Sequence, residues 1–77
     1  MITAKVISKS ENEPWLKHDL EYGKEYEVED IDMGQSYTSV YIIGKPFPYN
    51  SVFFEFYEDG KPLDIYRDKR FNKYLFL

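Results

Sequence analysis

The sequence predicts a mainly β domain: five short strands curved into a small barrel, with a long first loop and a docked C-terminal tail. Three observations lead there. Apolar and polar residues alternate over short runs and no helical stripe is sustained. Those runs are crowded with β-branched and aromatic residues, the 77-residue chain holding eight Tyr, six Phe and one Trp. Isolated glycines and prolines separate the runs at turn positions.

The elements follow in order. Residues 2–8 ("ITAKVIS") alternate, with Ile2, Ala4 and Val6 on one side, and form the first expected strand. Residues 9–26 are polar and contain Pro14 and Gly23, which predicts a long loop with one helical turn around "PWLKHDL", pinned by Trp15, Leu16 and Leu20. "KEYEVEDID" (24–32) sends Tyr26 and Val28 one way and Glu25, Glu27 and Glu29 the other, until Met33-Gly34 ends it. "SYTSVYIIG" (36–44) is the third strand, with Thr38, Val40 and Ile42 opposed to Tyr37, Ser39, Tyr41 and Ile43.

"KPFPYN" is a stiff loop because two prolines fix φ and remove two donors. The fourth strand follows, with Val52, Phe54 and Phe56 assigned to the core and Phe53, Glu55 and Tyr57 to the other face, since the inverse choice would bury Glu55. Asp59-Gly60 is a hairpin turn into a short fifth strand, "PLDIY", placed at an edge by Pro62. The tail "RDKRFNKYLFL" predicts a helical turn and an apolar clip, and two readings stand for Phe53 and Tyr57: covered by that clip, or left with Tyr37 and Tyr41 as an aromatic patch for a partner.

Composition narrows the functional classes. The chain is of single-domain size, 1–77, and has no cysteine for a disulfide. With His18 the only histidine and no thiolate, neither a metal site nor any cofactor is expected. The same poverty argues against an enzyme: nucleophilic chemistry needs a Cys or Ser beside a base, and His18 sits between Lys17 and Asp19 in a charged loop. Glu27, Glu29 and Asp30 lack the glycine-bearing spacing of a calcium loop, and the four glycines form no phosphate cradle. No apolar run approaches the roughly 20 residues that span a bilayer, and the N-terminus shows no signal pattern, so a cytoplasmic location is expected.

Charge is segregated within a net −4. Nine acidic residues face two lysines between Glu11 and Asp32, whereas five basic residues face Asp64 and Asp68 from Lys61 onward. The basic tail, with Tyr66, Phe71 and Tyr74 interleaved, is the sole candidate for nucleic-acid contact, and the overall negative charge argues against it. The acidic stretch (Glu21, Glu25, Glu27, Glu29, Asp30, Asp32) could instead imitate phosphates in the basic groove of another protein.

Two stretches carry a resemblance. "LEYGKEYEVEDI" looks like the entry into the second strand of SH3-like barrels, and implies a small five-stranded SH3-like fold. The wider pattern "MGQSYTSVYI", "YNSV" and "FEFYEDGKPLDIYRDKRFNKYL" is similar to a class of small uncharacterised bacterial and phage proteins, Tyr49 standing where that pattern has Phe. The resemblance implies a fold and no activity.

The function expected is therefore a non-enzymatic module that binds a protein or peptide through an aromatic surface, with a second copy of the chain as an alternative partner. An acidic phage-type inhibitor of a host nucleic-acid enzyme and a nucleic-acid-binding barrel are the second and third readings. "MGQSYTS" is a polar turn beside Tyr37 and Tyr41, and Asn50 comes close if the flanking strands pair across "KPFPY". The expected groove is Tyr37, Tyr41, Asn50, Phe53 and Tyr57.

Overall fold

The computed structural model describes residues 1–7 and 20–75, which form one antiparallel sheet of six strands. They are β1 (Ile2–Val6), β2 (Glu25–Met33), β3 (Thr38–Ile42), β4 (Tyr49–Asn50), β5 (Phe54–Glu58) and β6 (Lys61–Leu63), in the order β4-β3-β2-β1-β5-β6. Trp15, Leu16, His18 and the expected turn around residues 14–19 lie outside the described residues, as do Phe76 and Leu77 of the apolar clip.

The first strand in sequence is central in space. β1 pairs with β2 through Ala4–Tyr26 and with β5 through Ala4–Phe56, so the smallest core side chain sits between two rings. Ala4 and Val6 are fully buried, while Thr3 and Lys5 point to the other face. The alternation expected for β3 also holds: Thr38, Val40 and Ile42 are buried, and Tyr37, Tyr41 and Ile43 are exposed.

β2 divides its length between two neighbours. Glu25–Glu27 pair with β1, and Val28–Met33 pair with β3 across a register shift between Val28 and Asp30. The extra residue is a β-bulge. It changes the parity of the strand, so the inward series Tyr26 and Val28 continues as Ile31 and Met33.

The closed barrel is not what forms: β4 and β6 are free edges at opposite ends of the ladder. Neither suits closure, because β4 has two residues and Pro62 at the centre of β6 has no N–H to donate. The sheet is strongly curled all the same. A single 3₁₀ turn, Ser51–Phe53, carries the chain from β4 to β5, four places away in the sheet. Four residues reach about 14 Å when fully extended, whereas four strand spacings in a flat sheet amount to about 19 Å. Only a curled sheet satisfies both.

That turn also corrects the face assignment. Val52, expected in the core, lies in the 3₁₀ turn and is 63% exposed, whereas Phe53 packs against the core. From Phe54 onward strand parity resumes, with Phe54 and Phe56 buried and their rings 6.0 Å apart. Tyr49 meets Phe54 edge-on at 6.3 Å. Leu20 and Ile65 join this cluster from outside the strands, and Phe71 packs against it.

The hairpin turn behaves as its sequence predicts. Asp59 and Gly60 both have positive φ, 51° and 83°, the arrangement that joins two strands with matching twist. Asp59 also receives the N-terminal ammonium of Met1 at 2.8 Å, and its own N–H donates to the Met1 carbonyl at 3.0 Å.

The revised assignment has a direct consequence for stability. Phe54→Ala should cost about 3–5 kcal/mol in urea denaturation, as a ring lost from a packed core does. Val52→Ala should stay within about 0.5 kcal/mol of wild type, as surface changes do. Comparable losses at both positions would return Val52 to the core.

Candidate functional site

Three segments meet at the end of the sheet where β2 turns into β3. The first wall is the turn itself, Gly34 to Tyr37, closed by the Gly34 N–H donating to the Tyr37 carbonyl at 3.0 Å. A Cβ on Gly34 would stand 3.0 Å from that same carbonyl oxygen, so glycine lets the turn close this tightly. The second wall is the crossover, Asn50 and Val52. The third is the C-terminal segment, through Tyr66, Asn72 and Tyr74. Between them lies a cleft of about 480 Å³, with Met33 and Thr38, paired across β2 and β3, also lining it.

One local device recurs in the walls. Asn50 accepts from the N–H of Val52 at 3.2 Å, Asp64 from that of Tyr66 at 3.0 Å, and Asn72 from that of Tyr74 at 3.0 Å. Asp68 does the same for Arg70 at 2.9 Å. Each is an Asx turn, in which a short polar side chain substitutes for a backbone acceptor. Val52, Tyr66 and Tyr74, three of the residues that line the cleft, are each the second residue after such a side chain.

Side-chain bonds brace these walls. Ser51 Oγ and Tyr66 Oη are 2.5 Å apart and join the crossover to the C-terminal segment. Asn72 Nδ2 donates to the Tyr66 carbonyl at 2.7 Å. Arg70 donates from both terminal nitrogens to Glu58 of β5 at 2.9 and 2.8 Å, and holds Asp68 at 2.6 Å. The Arg70 bonds hold the Glu58 and Asp68 carboxyls below their ordinary range and raise the guanidinium in turn.

Among the described residues, no Asp, Glu, Lys or Arg lines the cleft. Tyr37 and Tyr66 present their rings at 63% and 44% exposure. Lys73 Nζ stands 5.5 Å from the centre of the Tyr74 ring. Tyrosines beside amides and a serine make a surface that stacks on planar or apolar groups and exchanges hydrogen bonds with neutral ones.

The residues expected to form one groove are divided. Tyr37 and Asn50 meet in this cleft, Asn50 arriving through the Ser39–Asn50 pairing of β3 with β4. Phe53 packs on the core. Tyr41 lies on the outward side of β3 opposite Asp30. Tyr57 is on β5, opposite Thr3, with β2 and β1 between its strand and β3. At the usual spacing that is about 14 Å, too far for one groove. Tyr57 belongs to a second hollow with Pro62, Leu63 and Asp64, where its hydroxyl donates to Glu55 at 3.0 Å and that bond pushes the phenol pKa up.

Val52, Tyr66, Asn72 and Tyr74 escaped the sequence reading as cleft residues, whereas the polar turn of "MGQSYTS" was expected at its rim. A signal existed: "DIY", "DKR" and "NKY" repeat an Asp or Asn two places before an ordered residue, at four-residue spacing. Among the described residues no helix is long and apolar enough to cross a membrane.

The comparisons with known proteins bear on kinship alone. Residues 8–76 match the family described as Bacteriophage T4 protein Y07B, and the chain belongs to that family. No curated protein and no solved structure matches it.

Acid should loosen the C-terminal wall first. Glu58, Asp59 and Asp68 are each held below their unfolded values, so their stabilisation is complete above about pH 4.5 and disappears as pH falls through the folded values. Thermal midpoints measured from pH 7 to 2 should drop on the acid side, and Glu58→Gln should shrink that drop. An acid limb unchanged in the variant would remove Glu58 from the account.

Proposed function

We propose that this member of a phage family is a non-enzymatic interaction module that takes a neutral, extended stretch of a partner protein into its tyrosine-lined cleft. The observation that carries the reading is the convergence of exposed Tyr37, Val52 and Tyr66 on one cleft whose described lining is uncharged. Large apolar and aromatic groups left in water at one place are the usual mark of a docking site. Tyrosine suits the task, because its ring buries area at low entropic cost and its hydroxyl adapts to a partner's backbone.

A neutral lining also sets the expected salt response. Binding there depends on stacking and short-range hydrogen bonds, which screening hardly touches. A second reading, inhibition of a host nucleic-acid enzyme by acidic imitation, draws on the exposed carboxylates of Glu25, Glu27, Asp30 and Asp32 along β2. That mode weakens steeply with salt.

Capture from host lysate separates the two. Tyr37→Ser/Val52→Ser alters two exposed side chains, so the variant should melt within a few degrees of wild type. A partner held by wild type should be lost at least about tenfold by the folded variant, and held equally at about 0.1 and 1 M salt, where the Debye length falls from about 10 to 3 Å. A partner kept by the variant but released by salt, or by reversing Glu25 and Glu27, would replace the cleft with the acidic face.

A further inference from the structure

We infer that Arg70 is the positioning residue of the cleft, a latch on Glu58 that holds the wall carrying Asn72 and Tyr74 against the sheet. This rests on the reading of the cleft as the binding site and adds a means by which that site is assembled or opened.

The third wall is built almost wholly from local bonds. Phe71 and Asn72 N–H both donate to the Asp68 carbonyl, Leu75 N–H to that of Asn72, and the Asx turns at Asp68 and Asn72 close on their own next turn. Such bonds shape the segment without fixing it to anything. Asn72 Nδ2 reaches back only to the Tyr66 carbonyl, on the same C-terminal segment. Among the described residues, the side-chain bonds that cross from this segment to a strand come from Arg70, whose two terminal nitrogens meet both carboxylate oxygens of Glu58.

The chemistry of the pair suits a latch. A planar guanidinium facing a carboxylate with two parallel bonds fixes direction as well as distance, which a single ammonium contact does not. Asp68 supports the geometry from the other edge of the guanidinium, accepting from Nε at 3.1 Å and from Nη2, which it shares with Glu58, at 2.6 Å. The guanidinium also stands 5.2 Å from the centre of the Phe71 ring, so the ion clamp and the hydrophobic anchor act on adjacent residues. Both ends remain accessible, Arg70 with about half its side chain exposed. An accessible latch is reversible: it orients the wall without contributing much to the stability of the whole fold. Breaking it leaves Phe71 and the Ser51–Tyr66 bond to hold the segment, and frees Asn72 and Tyr74 beyond them.

Cleavage by a lysine-specific protease reads this directly in the full chain, with no ligand present. Lys69 and Lys73 flank the latch on the third wall, while Lys24 and Lys45 border the β2–β3 half of the sheet and serve as internal controls. Cleavage of a folded protein follows the population of the locally open form. Arg70→Gln should speed cleavage after Lys69 and Lys73 at least about tenfold, with Lys24 and Lys45 unchanged. Glu58→Gln should reproduce the effect although it leaves the Arg70–Asp68 contact in place, and the double variant should add little to either single change, as for two residues sharing one bond. The inference is overturned if cleavage after Lys73 stays at the wild-type rate, if Glu58→Gln has no effect, or if all four sites accelerate together. Because no partner takes part, any of those outcomes removes the latch and leaves the docking reading to its own test.

Discussion

A three-residue turn sets the shape of this molecule. Ser51–Phe53 must take the chain from the edge strand β4 to β5, which lies beyond β3, β2 and β1 in the sheet. The reach of so short a connection forces the ladder to curl until its ends approach, and the rest follows from that closeness. The two edges do not pair, since β4 is too short and Pro62 interrupts β6. What spans the gap instead is side-chain chemistry: Ser51 bonded to Tyr66 across it. The cleft opens at the β2–β3 turn end of this curled sheet, bordered by the crossover on one side and the C-terminal segment on another.

Within that curl β1 is the member that joins the two halves. It accepts the β2–β4 meander on one side and the β5–β6 hairpin on the other, with Ala4 small enough to fit between Tyr26 and Phe56. A larger residue there would push apart the two halves whose meeting forms the cleft, which is how overpacking acts in a dense core. The hairpin turn in its place gathers both ends of the described chain: Asp59 takes the Met1 ammonium and Glu58 takes Arg70. Two consecutive carboxylates thus fasten the central strand and the cleft wall at one corner of the sheet.

Strand alternation was legible because one face is buried. Thr38, Val40 and Ile42, and later Phe54 and Phe56, read correctly from a period of two. The reading failed where the backbone leaves that period. At Val52 a 3₁₀ turn replaces strand geometry, so a β-branched residue in an apolar run ends up in solvent. At Glu29–Asp30 a bulge shifts the parity of β2, which no local propensity announces. The groove expected from Tyr37, Tyr41, Asn50, Phe53 and Tyr57 half-formed for a related reason: Tyr37 and Asn50 depend on β3 pairing with its neighbour β4, but Tyr41 and Tyr57 could meet only if β3 and β5 were adjacent, and β1, the first strand in sequence, lies between them. The third wall was invisible to periodicity because Asx turns order it residue by residue.

The central claim is that an open, curled sheet leaves β4 and β6 unpaired and brings the β2–β3 turn, the crossover and the C-terminal segment together around the tyrosine cleft. Cross-strand proton contacts measured by NMR on the uniformly labelled protein test this most directly. The account predicts contacts from Ile2–Val6 to both 25–27 and Phe54–Glu58, together with Ser51–Tyr66 proximity, and none between the backbones of Tyr49–Asn50 and Lys61–Leu63. Backbone contacts between those two edges would close the barrel and contradict the open, curled sheet.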